Sequence, residues 1–320
     1  MTSCKIVMYH YVRPIKNSKY PCIKGLELIN FKKQIMFFRE KFGFQNLDFL
    51  FNESFLEGNK APAILTFDDG LKDHFRHVYP ILKSKNIQGL FFPPAKPILE
   101  NIVLDVHKIH FILAMESDKS KIVKDIFEKI ISYQKDYDLE NPKNLWDKLA
   151  ISSRFDTGEV IFIKRILQRE LPIKIRTEIT NELFVKYVTS NESDFSKELY
   201  MSLDEIDEMR ENGMYFGSHG YSHQWLSYMS EKNLNIELEK SYEFCERISP
   251  NTKKIMCYPY GDYNESVINK IKNIGFTGGL TTKTGNAELN DKNLFTLNRY
   301  DTNDFPQYIN EHEKIIVCLI

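Results

Sequence analysis

Residues 61–74 read APAILTFDDGLKDH. The run Ala63-Ile64-Leu65-Thr66-Phe67 is short, apolar and bounded by Pro62 and Gly70, which predicts a buried strand ending at two adjacent carboxylates, Asp68 and Asp69. Helix-like HVYPILKSKNI (77–87) and a second short apolar run, GLFFPPA (89–95), come after it. Ahead of it, CKIVMYHYV (4–12) reads as a buried strand. NFKKQIMFFREKFG (30–43) sets Phe31, Ile35, Phe38 and Phe42 at helical spacing, with Gly43 as a stop. The resulting βαβαβ order predicts an α/β protein built on a parallel sheet or barrel.

From about residue 97 to 199 the grammar changes. DVHKIHFILAM (105–115), KIVKDIFEKIISYQ (121–134), NLWDKLAI (144–151) and EVIFIKRILQREL (159–171) all carry apolar residues at helical spacing, so this segment reads as a helical insertion. Strand–helix alternation returns at SLDEIDEMRENG (202–213), where Ser202 and Glu205 form a capping-box pattern and Gly213 a stop. Further strands are expected in MYFGSHGYSH (214–223), KKIMCYPYGDY (253–263), TGGLTT (277–282) and LFTLNRYD (294–301). In an α/β barrel, strand ends face one rim, where sites assemble.

Lys and Arg number 43 against 44 Asp and Glu in 320 residues, which argues against broad electrostatic binding of nucleic acid or an anionic membrane. The five cysteines include no CxxC pair and read as reduced thiols. No apolar run is long enough for a transmembrane segment, and MTSCKIVMYHYVRP lacks the apolar core of a signal peptide. A cytoplasmic protein is therefore expected, with any contact at the inner membrane face peripheral.

A catalytic divalent metal takes about three protein ligands and an open position. Asp69, His219 and His223 offer one carboxylate and two imidazoles, the histidines sitting in HGYSH, whose Gly220 and Ser222 argue for a loop after a strand. Taken together, TFDDG, GSHGYSH and YPYGDYN, in that order and each at a predicted strand end, resemble the NodB-homology polysaccharide deacetylases, carbohydrate esterase family 4. The resemblance spans roughly residues 1–95 and 200–305. It implies a distorted (β/α) barrel of the NodB type formed by residues 1–96 and 200–320. Residues 97–199 would then be an insertion serving as a lid, a homo-oligomer contact or a substrate-recognition element.

The resemblance also implies roles. Asp68 would be the general base, with Asp69, His219 and His223 holding the metal, zinc foremost and cobalt, nickel, manganese or iron(II) as alternatives. The backbone N–H of Tyr260 would contact the oxyanion, with Pro259 and Gly261 shaping the groove wall; taken alone, that stretch is an ordinary β-turn. Trp225 is a candidate sugar-stacking residue, as is Trp146, though both suit a core equally.

Three positions depart from the family pattern. Gly220 stands where Ser or Thr usually follows the first histidine, which puts the rigidity of the loop in question. Cys257 stands where an arginine normally pairs with the catalytic aspartate, and Arg299 is the candidate replacement, through the two parallel hydrogen bonds a guanidinium offers a carboxylate. The family's late histidine is missing: His312, in the charged NEHEK, reads as tail, so His10 is the candidate general acid or substrate contact. Asp105, His107 and His110 read as a wet helix face in preference to a second metal site.

The expected reaction is metal-dependent hydrolysis of an N-acetyl group from an amino sugar, nucleotide- or lipid-linked, as an intracellular precursor of a surface glycan. Removal of another small acyl group such as formyl, or sugar binding without turnover, are the alternatives.

Overall fold

The computed structural model describes residues 2–51, 61–152 and 156–306; His312 and Cys318 lie outside them. The described residues divide into two units. One draws on Met1–Pro14, Gly25–Asn101 and Ser196–Ile320, the other on Ile15–Lys24 and Ile102–Phe195.

The first unit is mixed α/β with parallel strands, as the strand–helix alternation predicts. Ser3–Tyr9 pairs with Ala63–Asp68, Val7 facing Leu65. Ala63–Asp68 pairs with Gly89–Phe92, and Gly89–Phe92 with Tyr215–Phe216. Single parallel bridges, Ser218 to Met256 and Leu280 to Leu297, lead to and from the paired strands Ile255–Cys257 and Gly278–Leu280. Tyr300–Asp301 then lies parallel to Ser3–Tyr9. The parallel neighbours therefore lead round from the first strand back to it, through bridges in places and full ladders elsewhere. A Cβ on Gly217 would stand 2.8 Å from the Ile255 carbonyl oxygen, so glycine is what lets the backbones approach beside the Ser218–Met256 bridge.

Ala63–Asp68 is buried at every position, because both of its faces are covered. Leu65 and Phe67 point into one apolar cluster with Phe31, Phe38 and Phe216, while Ile64 joins a second with Ile6, Phe92 and Leu280. The rings of Phe67, Phe91 and Phe216 stack in succession at 4.8 and 5.5 Å. Truncating one such ring to alanine costs about 3–5 kcal/mol, so this ladder fixes the strand that delivers Asp68. Beyond the carboxylates the chain enters a π-helical turn, His74–Val78, before Tyr79–Ser84. The capping box foreseen at Ser202 and Glu205 is present.

The second unit is helical, as the 97–199 periodicity predicts, and includes Asp105–Met115, Lys119–Tyr133, Pro142–Leu149, Gly158–Arg165 and Ile173–Tyr187. Residues 15–24, between the first strand and the first helix of the other unit, cluster with these helices. Trp146 packs against Phe162, with ring centroids 5.2 Å apart, within this unit's own core. Asp105 accepts a hydrogen bond from the Thr177 hydroxyl and His107 is fully buried, so the run 105–110 is packing and not the wet face its charges suggest. Among the described residues no helix is long and apolar enough to cross a membrane.

Candidate active site

Asp68 is the last residue of its strand, and the chain leaves it through Asp69 and Gly70, both left-handed, with φ of 73° and 63°. Gly70 is required twice over: besides its φ, a Cβ there would lie 2.7 Å from the Pro93 Cβ. His223 and Tyr260 are also left-handed, at φ 55° and 58°. Such conformations cost non-glycine residues about 1–2 kcal/mol each. Three of them at one place mark a site whose geometry is held by its surroundings.

Asp69, His219 and His223, all buried, bring their ligand atoms within 4.8 Å of one another. Each Nε2 lies 3.5 Å from Asp69 Oδ1. His219 Nδ1 is 2.6 Å from the Cys257 carbonyl oxygen, so that nitrogen carries the proton and donates it, leaving the Nε2 lone pair turned to the cluster. Burial pulls His219 below the ordinary imidazole pKa in spite of Asp68 and Asp69, which favours the neutral, ligating form. One carboxylate with two imidazoles fits a divalent transition metal. Asp68, His219 and Cys257 form a second close triad, but Asp68 is engaged elsewhere and burial pushes the Cys257 thiol up, away from the thiolate a metal needs.

Asp68 is engaged by Arg299. Its Nη1 donates to Oδ1 at 2.9 Å and its Nη2 stands 2.8 Å from Oδ2. Arg299 is itself fixed, with Nε donating to the Thr281 carbonyl at 2.8 Å and Nη1 to the Thr66 hydroxyl at 3.2 Å. Burial pushes the Asp68 carboxyl up, yet Arg299 outweighs it, helped by His219 and His10, and holds it at about 2. The Cys257 backbone orients His219, and its side chain, where the family has arginine, borders the Asp68–Arg299 pair.

The histidine loop is braced by a residue that sequence reading missed. Glu237, buried on helix Glu231–Ile248, accepts hydrogen bonds from Tyr221 N at 2.8 Å, Ser222 N at 2.7 Å and Ser222 Oγ at 2.6 Å. Gly220 N donates to Ser218 Oγ, which is bonded in turn to Ser241 Oγ. Gly220 has φ of 75°, and a Cβ there would meet Glu237 Oε1 at 3.1 Å, so the departure from Ser or Thr fits this brace. A glutamate fourteen positions after His223, on an amphipathic helix, looks like any solvated glutamate in sequence.

Trp225 stacks on Tyr260, centroids 4.4 Å apart and planes 4° from parallel, and the Tyr260 ring meets His223 edge-on at 4.6 Å. Asp262, also missed, ties the two segments together by accepting from Ser227 N and Ser227 Oγ, both at 2.7 Å. Pro259 is buried, and Gly261, with φ of 68°, turns against Thr282. His10 is partly exposed, its Nε2 3.9 Å from Asp68 Oδ2. His74 is buried and holds the first strand's end through Nε2 at 2.9 Å from the His10 carbonyl oxygen, a structural use.

The acid–histidine cluster thus stands beside the ends of parallel strands. Residues 151–279 match the polysaccharide deacetylase family, a stretch that includes both histidines and Tyr260 but not Asp68 or Asp69. YxkH of Bacillus subtilis (strain 168) is 25% identical over 100 residues, which is 31% of this chain and only 36% of that relative's length. Among solved structures, the Streptococcus pyogenes deacetylase PplD in complex with acetate is similar at TM-score 0.55 and 17% identity, covering 94% of this chain and 92% of that one. BC0361, a polysaccharide deacetylase from Bacillus cereus, gives 0.53 and 16%, covering 94% and 65%. IcaB from Ammonifex degensii gives 0.50 and 14%, covering 99% and 97%. The partial family match and the shared fold are together a likeness to the polysaccharide deacetylases.

Proposed function

We propose that the chain hydrolyses the N-acetyl group of an amino sugar, with Asp68 as general base and Asp69, His219 and His223 as the metal ligands. The observation that carries this reading is a fully gripped carboxylate, Asp68, next in sequence to a convergent Asp/His/His donor set. A binding protein has no use for that pairing. At a pKa of about 2 Asp68 is ionised at neutral pH and so free to accept a proton. It is also a weak base towards bulk water, and the chemistry a divalent cation supplies is to lower the pKa of water towards neutrality and polarise an amide carbonyl.

The remaining roles follow from position. Arg299 keeps the two Asp68 oxygens in one orientation. The Tyr260 N–H is the proposed oxyanion donor, in a turn held by its left-handed φ and by the Trp225 stack. His10, partly exposed and near Asp68, is the proposed proton donor to the leaving amine. The Trp225–Tyr260 pair presents aromatic surface suited to a sugar ring.

The test is to incubate zinc-loaded protein with N-acetylated nucleotide sugars, lipid-linked glycans and free polysaccharide, quantifying acetate and formate separately. Acetate release that chelation abolishes and zinc restores is the expected result. Formate in place of acetate would move the reading to a deformylase, and glycan binding with no acid released at any metal concentration would make it a binding protein.

A further inference from the structure

His74 is fully buried, and the two nitrogens of its imidazole meet different surroundings. Nε2 lies 2.9 Å from the His10 carbonyl oxygen, which can only accept, so Nε2 carries the proton and donates it. Nδ1 is then a bare acceptor, and no hydrogen-bond partner reaches it among the described residues. Burial pulls His74 below the ordinary imidazole pKa, against the His10 bond and the charges of Asp73 and Asp69, which keeps that nitrogen unprotonated. An apolar ring would fill the same space beside Phe67 and Phe91, whose centroids are 5.5 and 5.8 Å away, and would leave no buried nitrogen unpaired. What the imidazole adds over such a ring is the bond to His10.

His10 has little else to hold it. Its ring makes no hydrogen bond among the described residues: Nε2 stands 3.9 Å from Asp68 Oδ2, outside bonding distance, and the side chain is 41% exposed. The ring is therefore aimed by the backbone that carries it. That backbone leaves the sheet after Tyr9, where the pairing with Phe67 ends, and the next two carbonyls are pinned, that of His10 by His74 and that of Tyr11 by Leu26 N at 2.9 Å. His74 also opens the π-helical turn His74–Val78 and lies edge-on to Phe67, the residue before Asp68. One side chain thus touches both the strand of the proposed base and the peptide of the proposed acid.

We propose that His74 is a positioning residue for protonation of the leaving amine: by holding the His10 carbonyl it sets the separation of the His10 imidazole from Asp68. This rests on the reading of His10 as proton donor. As the C–N bond breaks, its electron pair stays on nitrogen and a proton from the His10 ring neutralises it there. Donor and base must flank one tetrahedral carbon, so a drift of about an ångström at His10 slows this step and spares the attack of water.

The test compares two amides, tri-N-acetylchitotriose and UDP-N-acetylglucosamine, with an ester, 4-nitrophenyl acetate, whose nitrophenolate leaves without a proton. In zinc-loaded His74→Phe, kcat on the amide that wild type turns over should fall about tenfold to a hundredfold, part of what a general acid supplies. KM and ester hydrolysis should both stay within about twofold of wild type, because neither depends on protonating an amine. His74→Gln, which returns an N–H at the reach of Nε2, should recover most of the loss. Adding His74→Phe to His10→Ala should lower amide turnover no further, since no ring is left to aim. If circular dichroism shows His74→Phe unfolded, His74→Leu takes its place. Unaltered amide turnover in His74→Phe, equal losses on amide and ester, no recovery in His74→Gln, or a further loss on top of His10→Ala overturns the proposal and leaves His74 as ordinary packing. Wild type that hydrolyses neither amide overturns the deacetylase reading itself, and the role of His74 falls with it.

Discussion

Arg299 and Asp68, 231 positions apart in the chain, meet through a hydrogen bond of 2.9 Å from Nη1 and an ion-pair contact of 2.8 Å at Nη2, with both side chains buried. Removing one member of such a pair leaves an unmatched buried charge, at a cost of about 3–5 kcal/mol. Arg299→Met is therefore expected to lower stability by that amount in urea unfolding and to reduce kcat about a hundredfold or more while zinc is retained. Adding Cys257→Arg to that variant, in the position the family uses, should recover part of both losses. Wild-type kcat in Arg299→Met would remove Arg299 from the orientation of Asp68.

Neighbouring aspartates should separate cleanly. Asp68→Asn preserves shape and leaves the three ligands in place, so zinc content should stay near one per chain while acetate release falls at least a thousandfold. Asp69→Ala removes a ligand and should lose both. Elemental analysis beside a turnover assay reads the pair, and loss of zinc in Asp68→Asn would reverse the division of roles.

The depressed pKa of Asp68 fixes a sign for acid stability. In the folded chain it sits at about 2 against an ordinary 3.8, so its contribution is complete above 3.8 and disappears as pH falls through about 2. The gap amounts to about 2 kcal/mol. Urea unfolding of metal-free protein between pH 5 and 2 should show wild type losing stability more steeply than Asp68→Asn. Parallel curves would mean that Arg299 does not hold the carboxyl down.

Glu237 supports the ligand loop without touching a ligand. Loss of outer partners of this kind typically costs 10–100-fold in metal affinity. Glu237→Ala is expected to weaken zinc binding within that range in a chelator-competition titration, and Glu237→Gln, which keeps one acceptor oxygen, by less. Equal zinc affinity in wild type and Glu237→Ala would reduce Glu237 to ordinary packing.

What could be read ahead of the structure was local. The short apolar run of Ile64, Leu65 and Phe67, the helical spacing in 105–171 and the capping pair Ser202 and Glu205 report the backbone state of their own neighbourhoods. The carboxylate pair and the HGYSH histidines were legible for a similar reason, being compact signatures at strand ends. Glu237 was not, because a buried acceptor and a solvated helix glutamate look alike until the loop that donates to it is folded alongside.

The sequence by itself determined which segments are strand and which helix, and which carboxylate and histidines stand at strand termini, since these depend on residues a few positions apart. Only the tertiary structure decided that Arg299 pairs with Asp68, that the Cys257 carbonyl accepts from His219, and that Glu237 accepts from the loop after Gly220. These are choices among chemically equivalent partners distant in the chain. They are made by the parallel closure that carries the 299 segment beside the first strand and so within reach of Asp68.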